Sequence, residues 1–132
     1  MYLYYAVFSP NDSGYDIEFP DLDGAFTFGD NMSDALYMAK DLLEGWLIIA
    51  EKEKDPIPEA SEPSAINHEP NDLIIPIEVD LELAKKKHAN TLIKKTLTIP
   101  AYLNDLGNQA NINFSATLTE ALREKLGERV RD

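Results

Sequence analysis

Cysteine is absent from this chain of 132 residues. Neither a disulfide framework nor a thiolate metal site can therefore form. Long apolar runs are missing as well, because the longest, from Trp46 to Ala50, is far too short to cross a bilayer. The N-terminal sequence MYLYY lacks the basic start of a signal peptide. We therefore expect a soluble, cytoplasmic protein that has no membrane partner.

Basic side chains are scarce in the first half of the chain. Residues 1–72 contain 16 acidic and 3 basic side chains, for a net charge of −13. Residues 73–132 contain 8 acidic and 9 basic side chains, for a net charge of +1, and the two parts sum to −12. Such an asymmetry indicates two parts with different partners.

Strand and turn patterns alternate at the start of the chain. Residues 2–8 are aromatic and β-branched, which predicts a strand. Turn-forming residues occupy 10–14, and residues 15–19 then alternate apolar with acidic side chains, as in a half-buried strand. A second turn precedes a short third strand over 25–28. We predict that the first two strands are antiparallel, because the turn between them is short.

A long amphipathic helix is predicted over residues 34–53. Ser33 is the predicted N-cap, and Asp34 lies in the first turn, where the helix dipole favours negative charge. Apolar residues recur at helical spacing, which predicts that one face of the helix is buried. These residues are Ala35, Ala39, Leu42, Trp46 and Ile49, flanked by Leu43 and Leu47.

Proline interrupts the chain after this helix. Residues 54–72 contain four of the eight prolines and almost no apolar side chains, which predicts a flexible, partly extended segment. Residues 73–79 then predict a fourth strand, and Pro76 favours a sheet edge because proline cannot donate to a ladder. Residues 1–80 are therefore predicted to form a β-β-β-α-β domain in which the proline-rich segment is an insertion.

The last third of the chain has the pattern of a second, smaller domain. Residues 81–91 predict a connector, with a short helix as an open alternative. The sequence of residues 92–99 predicts a strand, and two short helices follow at about 101–110 and 114–126. A unit of about 35 residues is too small to bury a core alone. We therefore predict an α+β protein whose C-terminal domain, over 92–132, dimerises.

The pattern TLTIPAYL, followed by NINFSATLTEAL, resembles the ribbon-helix-helix family. Pro100 stands at the start of the first helix, where its missing N–H costs nothing. Asn111 occupies the tight turn, where a left-handed residue is needed and asparagine tolerates that conformation. Leu97 and Ile99 point to one strand face, and polar residues point to the other. In this family the strands of two chains pair into an antiparallel ribbon that enters the major groove.

The resemblance implies a homodimer that binds double-stranded operator DNA, with further pairing into tetramers left open. The polar strand face would read bases, and the start of the second helix would bind phosphate through backbone amides. The implied base readers are Lys94, Thr96 and Thr98, and the implied phosphate-binding amides are those of Asn113, Phe114 and Ser115. The alternative is a small α+β appendage that only dimerises.

Several short motifs in the first domain resemble the HicB antitoxin family. They are Gly14-Tyr15, the segment FPDLDG over 19–24, the segment TFGD over 27–30, and the helix that contains Glu44, Trp46 and Leu47. The resemblance covers residues 2–50 and the later strand over 73–79. It implies a partial ribonuclease-H-like fold, and one branch of that family ends in a ribbon-helix-helix domain.

The family resemblance implies an antitoxin of a type II toxin–antitoxin system, and not an enzyme. Its partner would be a HicA-type ribonuclease that cleaves mRNA, and the antitoxin would also repress its own operon. The net charge of −13 gives a physical reason, since an acidic domain attracts a basic RNA-binding surface. The residues implied for toxin binding are Tyr15, Phe19, Pro20, Asp21, Leu22, Asp23, Phe26, Phe28 and Asp30.

Two other functions stay open at the level of sequence. A metal-dependent nuclease needs carboxylates that converge on divalent metals, and the candidates by composition are Asp16, Glu18, Asp21 and Asp23. A solvated sheet face is the simpler interpretation of these residues, so we expect neither a metal nor a cofactor. The other function is that of a ligand-sensing ribbon-helix-helix repressor without a toxin partner.

The remaining titratable residues predict no further site. His68 and His88 lack neighbours that would form a nucleophilic or metal-binding constellation. The run Lys85-Lys86-Lys87 has two interpretations, contact with DNA phosphate or a solvated linker.

Overall fold

The computed structural model describes residues 1–89 and 91–128. They divide into two compact units, of which the first ends at Leu92 and the second begins at Ile93. We describe each unit by itself. Within the described ranges, no helix has the length and apolar composition needed to cross a membrane.

The first unit contains a four-stranded antiparallel sheet. Its strands are β1 (Tyr2–Asn11), β2 (Gly14–Glu18), β3 (Phe26–Gly29) and β4 (Leu73–Val79), in the spatial order β3-β2-β1-β4. All four predicted strands are confirmed, and β4 lies at a sheet edge, as Pro76 predicted. Strand β1 extends three residues beyond its predicted end because Asn11 still pairs with Gly14 across a two-residue turn.

Helix α1 (Met32–Lys52) covers one face of this sheet. Its N-cap is Asn31, whose side-chain oxygen accepts a hydrogen bond from the backbone N–H of Asp34 at 2.9 Å. The prediction of Ser33 as the cap was therefore wrong. Asparagine and serine are both good caps, so the local sequence offers two candidates, and the helix begins at the earlier one.

The buried face of α1 also differs in phase from the prediction. Steps of four residues from Ala35 bring Leu43 and Leu47 into the core, whereas Ile49 is largely exposed. Helical periodicity allows a step of three or four residues after Ala39, so the sequence fits both phases. In the structure Leu43 is fully buried, whereas the predicted Leu42 is only partly buried at the margin of the core.

The proline-rich segment is held against the first unit at defined points, whereas the sequence predicted a flexible chain. The Tyr4 hydroxyl donates a hydrogen bond to the backbone oxygen of Pro58. Ile57 packs against the core, and Ile66 is buried. A short 3-10 turn spans Pro63–Ala65. Two isoleucines among polar residues thus provide apolar anchors that the overall composition of the segment obscures.

The connector after β4 forms helix α2 (Leu81–Ala89), which packs against α1 through Leu81 and Ala84. The Lys85 ammonium lies 2.6 Å from a Glu51 carboxylate oxygen of α1. The Lys87 ammonium lies 3.4 Å from a carboxylate oxygen of Glu44, a buried residue of α1. These two lysines therefore pair with α1 in the single chain, and neither is a simply solvated linker residue.

The second unit contains helices α3 (Ala101–Gln109) and α4 (Phe114–Leu126). Asn111, between them, has the predicted left-handed conformation, with φ of 56°. The Asn113 side chain caps α4 by accepting a hydrogen bond from the Ala116 N–H at 3.0 Å. The Phe114 ring lies so close to Gly107 that a Cβ at this glycine would be 2.6 Å from it.

The strand predicted over 92–99 is not formed within one chain. Residues 91–100 have no regular secondary structure, and all ten are exposed. A strand needs a hydrogen-bonded neighbour, and the described part of this unit provides none. The alternation of Leu97 and Ile99 with polar residues is therefore typical of a strand, but the single chain forms no strand there and leaves both side chains exposed.

Candidate functional site

The sheet has one face covered by α1 and an opposite face with exposed side chains. On this outer sheet face, Asp16 lies opposite Phe28 and Glu18 lies opposite Phe26 in the β2–β3 ladder. Phe26 and Phe28 are 65% and 67% exposed. Because β3 is an edge strand, these two phenylalanines place exposed aromatic surface at the rim of the sheet, across the ladder from two carboxylates.

The loop between β2 and β3 contains two residues that belong to the core. Phe19 and Leu22 are both buried, although the family resemblance implied that they contact the toxin. Backbone hydrogen bonds close the loop, from Phe19 N–H to the Ala25 oxygen at 3.1 Å and from Leu22 N–H to the Phe19 oxygen at 3.0 Å. In this conformation the two side chains fix the shape of the loop and present almost no surface to a partner.

Asp21 joins this loop to the proline-rich segment. One carboxylate oxygen accepts the Ser61 N–H at 2.7 Å, and the other accepts the Ser61 hydroxyl at 2.6 Å. Asp23 is exposed, while its backbone oxygen accepts a hydrogen bond from the Trp46 indole at 2.9 Å. Sequence reasoning did not identify Ser61 as a partner, because forty residues separate it from Asp21 and no local pattern links them.

The remaining residues implied for toxin binding lie along or beside β3. Tyr15 is half-buried, with its ring centroid 6.1 Å from that of Phe8. Pro20 and Asp30 are exposed, and the Asp30 N–H donates to the Asp34 carboxylate at 2.9 Å. The members that present exposed side chains are Pro20, Asp23, Phe26, Phe28 and Asp30. We refer to these five residues as the β3 surface.

The carboxylates considered for a metal-dependent nuclease do not form a metal-binding group. Asp16 and Glu18 share the exposed side of β2, as the alternation predicted, while Asp21 is bound to Ser61. Among the described residues, no cluster of three or more histidine, aspartate or glutamate side chains could hold an ion. The arrangement therefore fits a solvated acidic face.

An open cleft of about 530 Å³ lies between the proline-rich segment and strands β1 and β2. Its lining includes Glu18, Asp21, Glu69 and Asp72, and much of its surface is polar. Sites for small effectors are usually concave and mostly apolar. This cleft is therefore a poor candidate for the effector pocket that a ligand-sensing repressor would need.

The second unit has almost no core of its own. Among its described residues, only Gly107 is buried. Leu97 is 51% exposed and Ile99 is 45% exposed, and apolar residues of both helices also face solvent. These helical residues are Leu103, Leu106, Phe114, Leu122 and Leu126. A unit with so much exposed apolar surface requires another surface to cover it.

The residues implied for DNA binding fall into two groups in this unit. Lys94, Thr96 and Thr98 are exposed in the irregular segment before α3. Asn113, Phe114 and Ser115 lie together at the start of α4, where backbone N–H groups lack helical partners. The Asn113 side chain and the Phe114 ring already have structural roles, as cap and as packing partner of Gly107, so phosphate binding there would use the backbone amides.

A family model described as the HicB_like antitoxin of bacterial toxin–antitoxin systems matches residues 2–84. This chain belongs to the HicB-like antitoxin family. The match spans the sheet, α1 and the start of α2, which are the elements that form the acidic unit. The antitoxin is a regulator of a toxin–antitoxin system and not an enzyme.

Solved structures resemble the antitoxin over most of its length. A toxin–antitoxin complex from Streptococcus pneumoniae contains a chain that is 26% identical, covering 94% of this chain and 98% of that chain, with a TM-score of 0.59. A chain of the HicA3 and HicB3 toxin–antitoxin complex is 22% identical over 60% of this chain and 99% of that chain, with a TM-score of 0.51.

A third structure, the antitoxin HicB of Burkholderia pseudomallei, supports the fold alone. It is 17% identical, covers 96% of this chain and 99% of that chain, and has a TM-score of 0.55. No relative with a curated description matches this sequence. The mixed α/β architecture with a four-stranded antiparallel sheet is therefore the one found in HicB antitoxins.

Proposed function

We propose that this antitoxin neutralises a HicA-type ribonuclease with its first unit and represses its own operon with its second unit. The observation that best supports two tasks is the contrast between the units. The first unit has a complete core and an acidic surface, whereas the second exposes its apolar residues and has a left-handed residue, Asn111, between its two helices. Each unit therefore fits a different kind of partner.

Toxin binding is proposed at the β3 surface. Residues 1–31 contain six acidic and no basic side chains, so this part of the sheet attracts a basic RNA-binding protein. Phe26 and Phe28 add exposed aromatic area, which is typical of the central contacts in protein interfaces. Phe19, Asp21 and Leu22 support this surface from the loop, and Tyr15 supports it from the strand behind.

The test of neutralisation uses the small basic protein encoded beside this antitoxin. We expect the two proteins to co-purify and the antitoxin to abolish RNA cleavage by its partner. Residues 1–89 alone should suffice, and association should slow as salt is raised, because the Debye length falls below about 10 Å above 0.1 M. RNA cleavage that continues at a molar excess of antitoxin would contradict the proposal.

DNA binding is proposed for a dimer of the second unit. A second copy supplies the missing neighbour strand, so that residues 94–99 of two chains pair and bury Leu97 and Ile99 between them. Lys94, Thr96 and Thr98 then lie on the outward face, which enters the major groove and reads bases. The amides at the start of α4 bind the flanking phosphates.

The DNA proposal is tested with duplex DNA from upstream of the antitoxin gene. Thr96→Ala should leave the mass in solution unchanged but lower discrimination between this DNA and random DNA by about 1–3 kcal/mol, as for one lost base contact. Lys94→Ala should flatten the salt dependence if this lysine touches phosphate. A dimer whose operator and random-DNA affinities are equal would instead support the appendage that only dimerises.

A further inference from the structure

The proline-rich segment over residues 54–72 is fixed at more points than a simple linker needs. Two hydrogen bonds of 2.7 and 2.6 Å join Ser61 to the Asp21 carboxylate, and the Tyr4 hydroxyl donates to the Pro58 oxygen. Ordering a segment costs conformational entropy, which such contacts must offset. The segment is therefore a fixed wall of the first unit, and it can present a defined surface to a partner.

This wall lies on the outer face of the sheet, the face that α1 does not cover. Val7 pairs with Glu18 of β2 and with Ile74 of β4, so the Val7 side chain points to the same outer face as that of Glu18. Val7 is nevertheless only 8% exposed, and it lines the open cleft together with the buried Ile66. The segment therefore shields Val7, and these two residues give the cleft an apolar floor.

Both walls of the cleft have carboxylates. Glu18 and Asp21 are on the sheet side, and Glu69 and Asp72 are on the side of the proline-rich segment. The lining contains neither lysine nor arginine. Among the residues that the structure describes, every ion pair involves a lysine of helix α2. Within this part of the chain, no cation therefore balances the charge of the cleft.

The cleft continues the β3 surface. Pro20 belongs to the β3 surface and also lines the cleft. Glu18 lines the cleft as well, and it lies directly opposite Phe26 in the β2–β3 ladder. A protein that covers the exposed phenylalanines of β3 is therefore brought to the mouth of the cleft.

The chemistry of the cleft selects among possible occupants. Four carboxylates repel an anion or a nucleic acid. A lysine or arginine side chain suits both the floor and the walls, because its aliphatic stem packs on apolar surface while its charged head remains polar and accessible. The head can then form charge-assisted hydrogen bonds with the carboxylates. A protein that binds RNA presents such side chains along its RNA-binding groove.

We propose that the cleft receives a lysine or arginine side chain of the toxin, so that the proline-rich segment forms the second wall of the toxin-binding surface. This inference rests on the proposed neutralisation of a basic ribonuclease and extends the contact beyond the β3 surface. The Asp21–Ser61 hydrogen bonds hold the second wall in place. A basic side chain that is bound in the cleft is withdrawn from RNA, so the contact also contributes to inhibition.

The test compares two substitutions that remove the same charge from the same segment of the full chain. Glu69→Gln removes a carboxylate that lines the cleft, whereas Glu62→Gln removes an exposed carboxylate that does not line it. Both variants lose the same long-range attraction for a basic protein. Glu69→Gln should lower toxin affinity by about tenfold, as for one lost charge-assisted hydrogen bond, and Glu62→Gln should lower it by less than about twofold. Isothermal titration calorimetry at fixed salt measures both affinities.

Ser61→Ala tests the wall itself. The substitution removes the hydroxyl that donates to Asp21 at 2.6 Å, so the segment is held less firmly. Toxin affinity should fall, and the loss caused by Glu69→Gln should be smaller in the Ser61→Ala background than in the wild type, because the two residues act through the same wall. Glu69→Gln should leave the melting temperature of the antitoxin nearly unchanged, since Glu69 is exposed. Additive losses would contradict the role of the wall.

Three outcomes would overturn the proposal. Equal toxin affinities for Glu69→Gln and Glu62→Gln would mean that the cleft contributes only long-range charge, and neutralisation at the β3 surface would still stand. Binding of Ca²⁺ to the wild type that Glu69→Gln abolishes, with toxin affinity unchanged, would make a cation the occupant. A wild-type antitoxin that does not bind the toxin at all would overturn the proposed function and this inference together.

Discussion

The two units differ in how they reach a stable fold. The first unit encloses an apolar core between its sheet and helices α1 and α2. In the second unit, among the residues described, Gly107 alone is buried, and the leucines of α3 and α4 face solvent. A sequence can thus encode one unit that is complete in a single chain and another that becomes complete on association.

The units also differ in charge. The first unit, residues 1–92, contains 19 acidic and 6 basic side chains, for a net charge of −13, whereas residues 93–132 contain 5 acidic and 6 basic side chains, for a net charge of +1. This difference suits the proposed pairing of an acidic unit with a basic toxin and of a less acidic unit with DNA. Mutations can test whether each unit keeps its stability and its partner when the other unit is changed.

The largest effect is expected from Leu97→Ala in the second unit. If two strands pair over this residue, each copy loses about 2–5 kcal/mol of stabilisation, and the loss occurs twice per dimer. Dimerisation by the second unit and DNA binding should disappear together, while the thermal unfolding of the first unit should stay unchanged. Analytical ultracentrifugation and operator titration measure these effects. An intact dimer that loses only DNA discrimination would mean that the strand faces are inverted.

Leu43→Ala tests the reverse case, in which the first unit is destabilised and the second unit is left unchanged. Leu43 is fully buried on the face of α1 that packs on the sheet, so the substitution leaves a cavity and should destabilise the first unit by about 2–5 kcal/mol. Denaturant unfolding of residues 1–89 measures this loss. Operator DNA binding by the full chain should be almost unaffected at temperatures where the first unit is still folded. A parallel loss of DNA binding would show that the units are not independent.

Elements whose signals are local were predictable from the sequence. The four strands follow from alternation and turn residues, and Pro76 alone was enough to place β4 at an edge. The left-handed Asn111 and the capping Asn113 were also predictable, because each property depends on a residue type and its immediate neighbours. The alternation of apolar and acidic residues in β2 also predicted that Asp16 and Glu18 share one exposed side of the strand.

Elements that depend on distant contacts were not predictable. The link between Asp21 and Ser61 crosses forty residues, and it anchors a segment whose composition indicated flexibility. The phase of α1 depends on which leucine meets the sheet, and both Leu42 and Leu43 fit a helical period. The residues over 92–99 have a strand pattern, but a single chain gives them no partner.

A smaller effect is expected from Phe28→Ala on the β3 surface. Phe28 is exposed, so its loss should leave the melting temperature nearly unchanged. Toxin affinity should fall by about 2 kcal/mol if the ring is a central contact. Leu73→Ala is the control, because Leu73 is also exposed but begins β4, at the opposite edge of the sheet. Equal toxin affinity for both variants would remove β3 from the proposed interface.

The smallest effect is expected at Tyr4, which ties the proline-rich segment to the first unit. Burial raises the pKa of the Tyr4 hydroxyl, with smaller contributions from Tyr2 and Asp21. The folded state therefore favours the neutral hydroxyl, which donates its hydrogen bond to the Pro58 oxygen. Its contribution to stability is complete below the unfolded pKa of about 10 and is lost as pH rises through the higher folded value.

Tyr4→Phe should lower stability by about 1 kcal/mol at pH 7, because one hydrogen bond is lost and the Pro58 oxygen loses its donor. The difference between the variant and the wild type should shrink above about pH 10, because the hydroxyl ionises there in the unfolded wild type while it stays neutral in the folded state. Urea unfolding of residues 1–89 at several pH values measures both effects. Ser61→Ala is the control, because it loosens the same segment without removing a titrating group. A constant difference between wild type and Tyr4→Phe across the alkaline range would contradict the raised pKa of the Tyr4 hydroxyl, because it would mean that the pKa is the same in the folded and unfolded states.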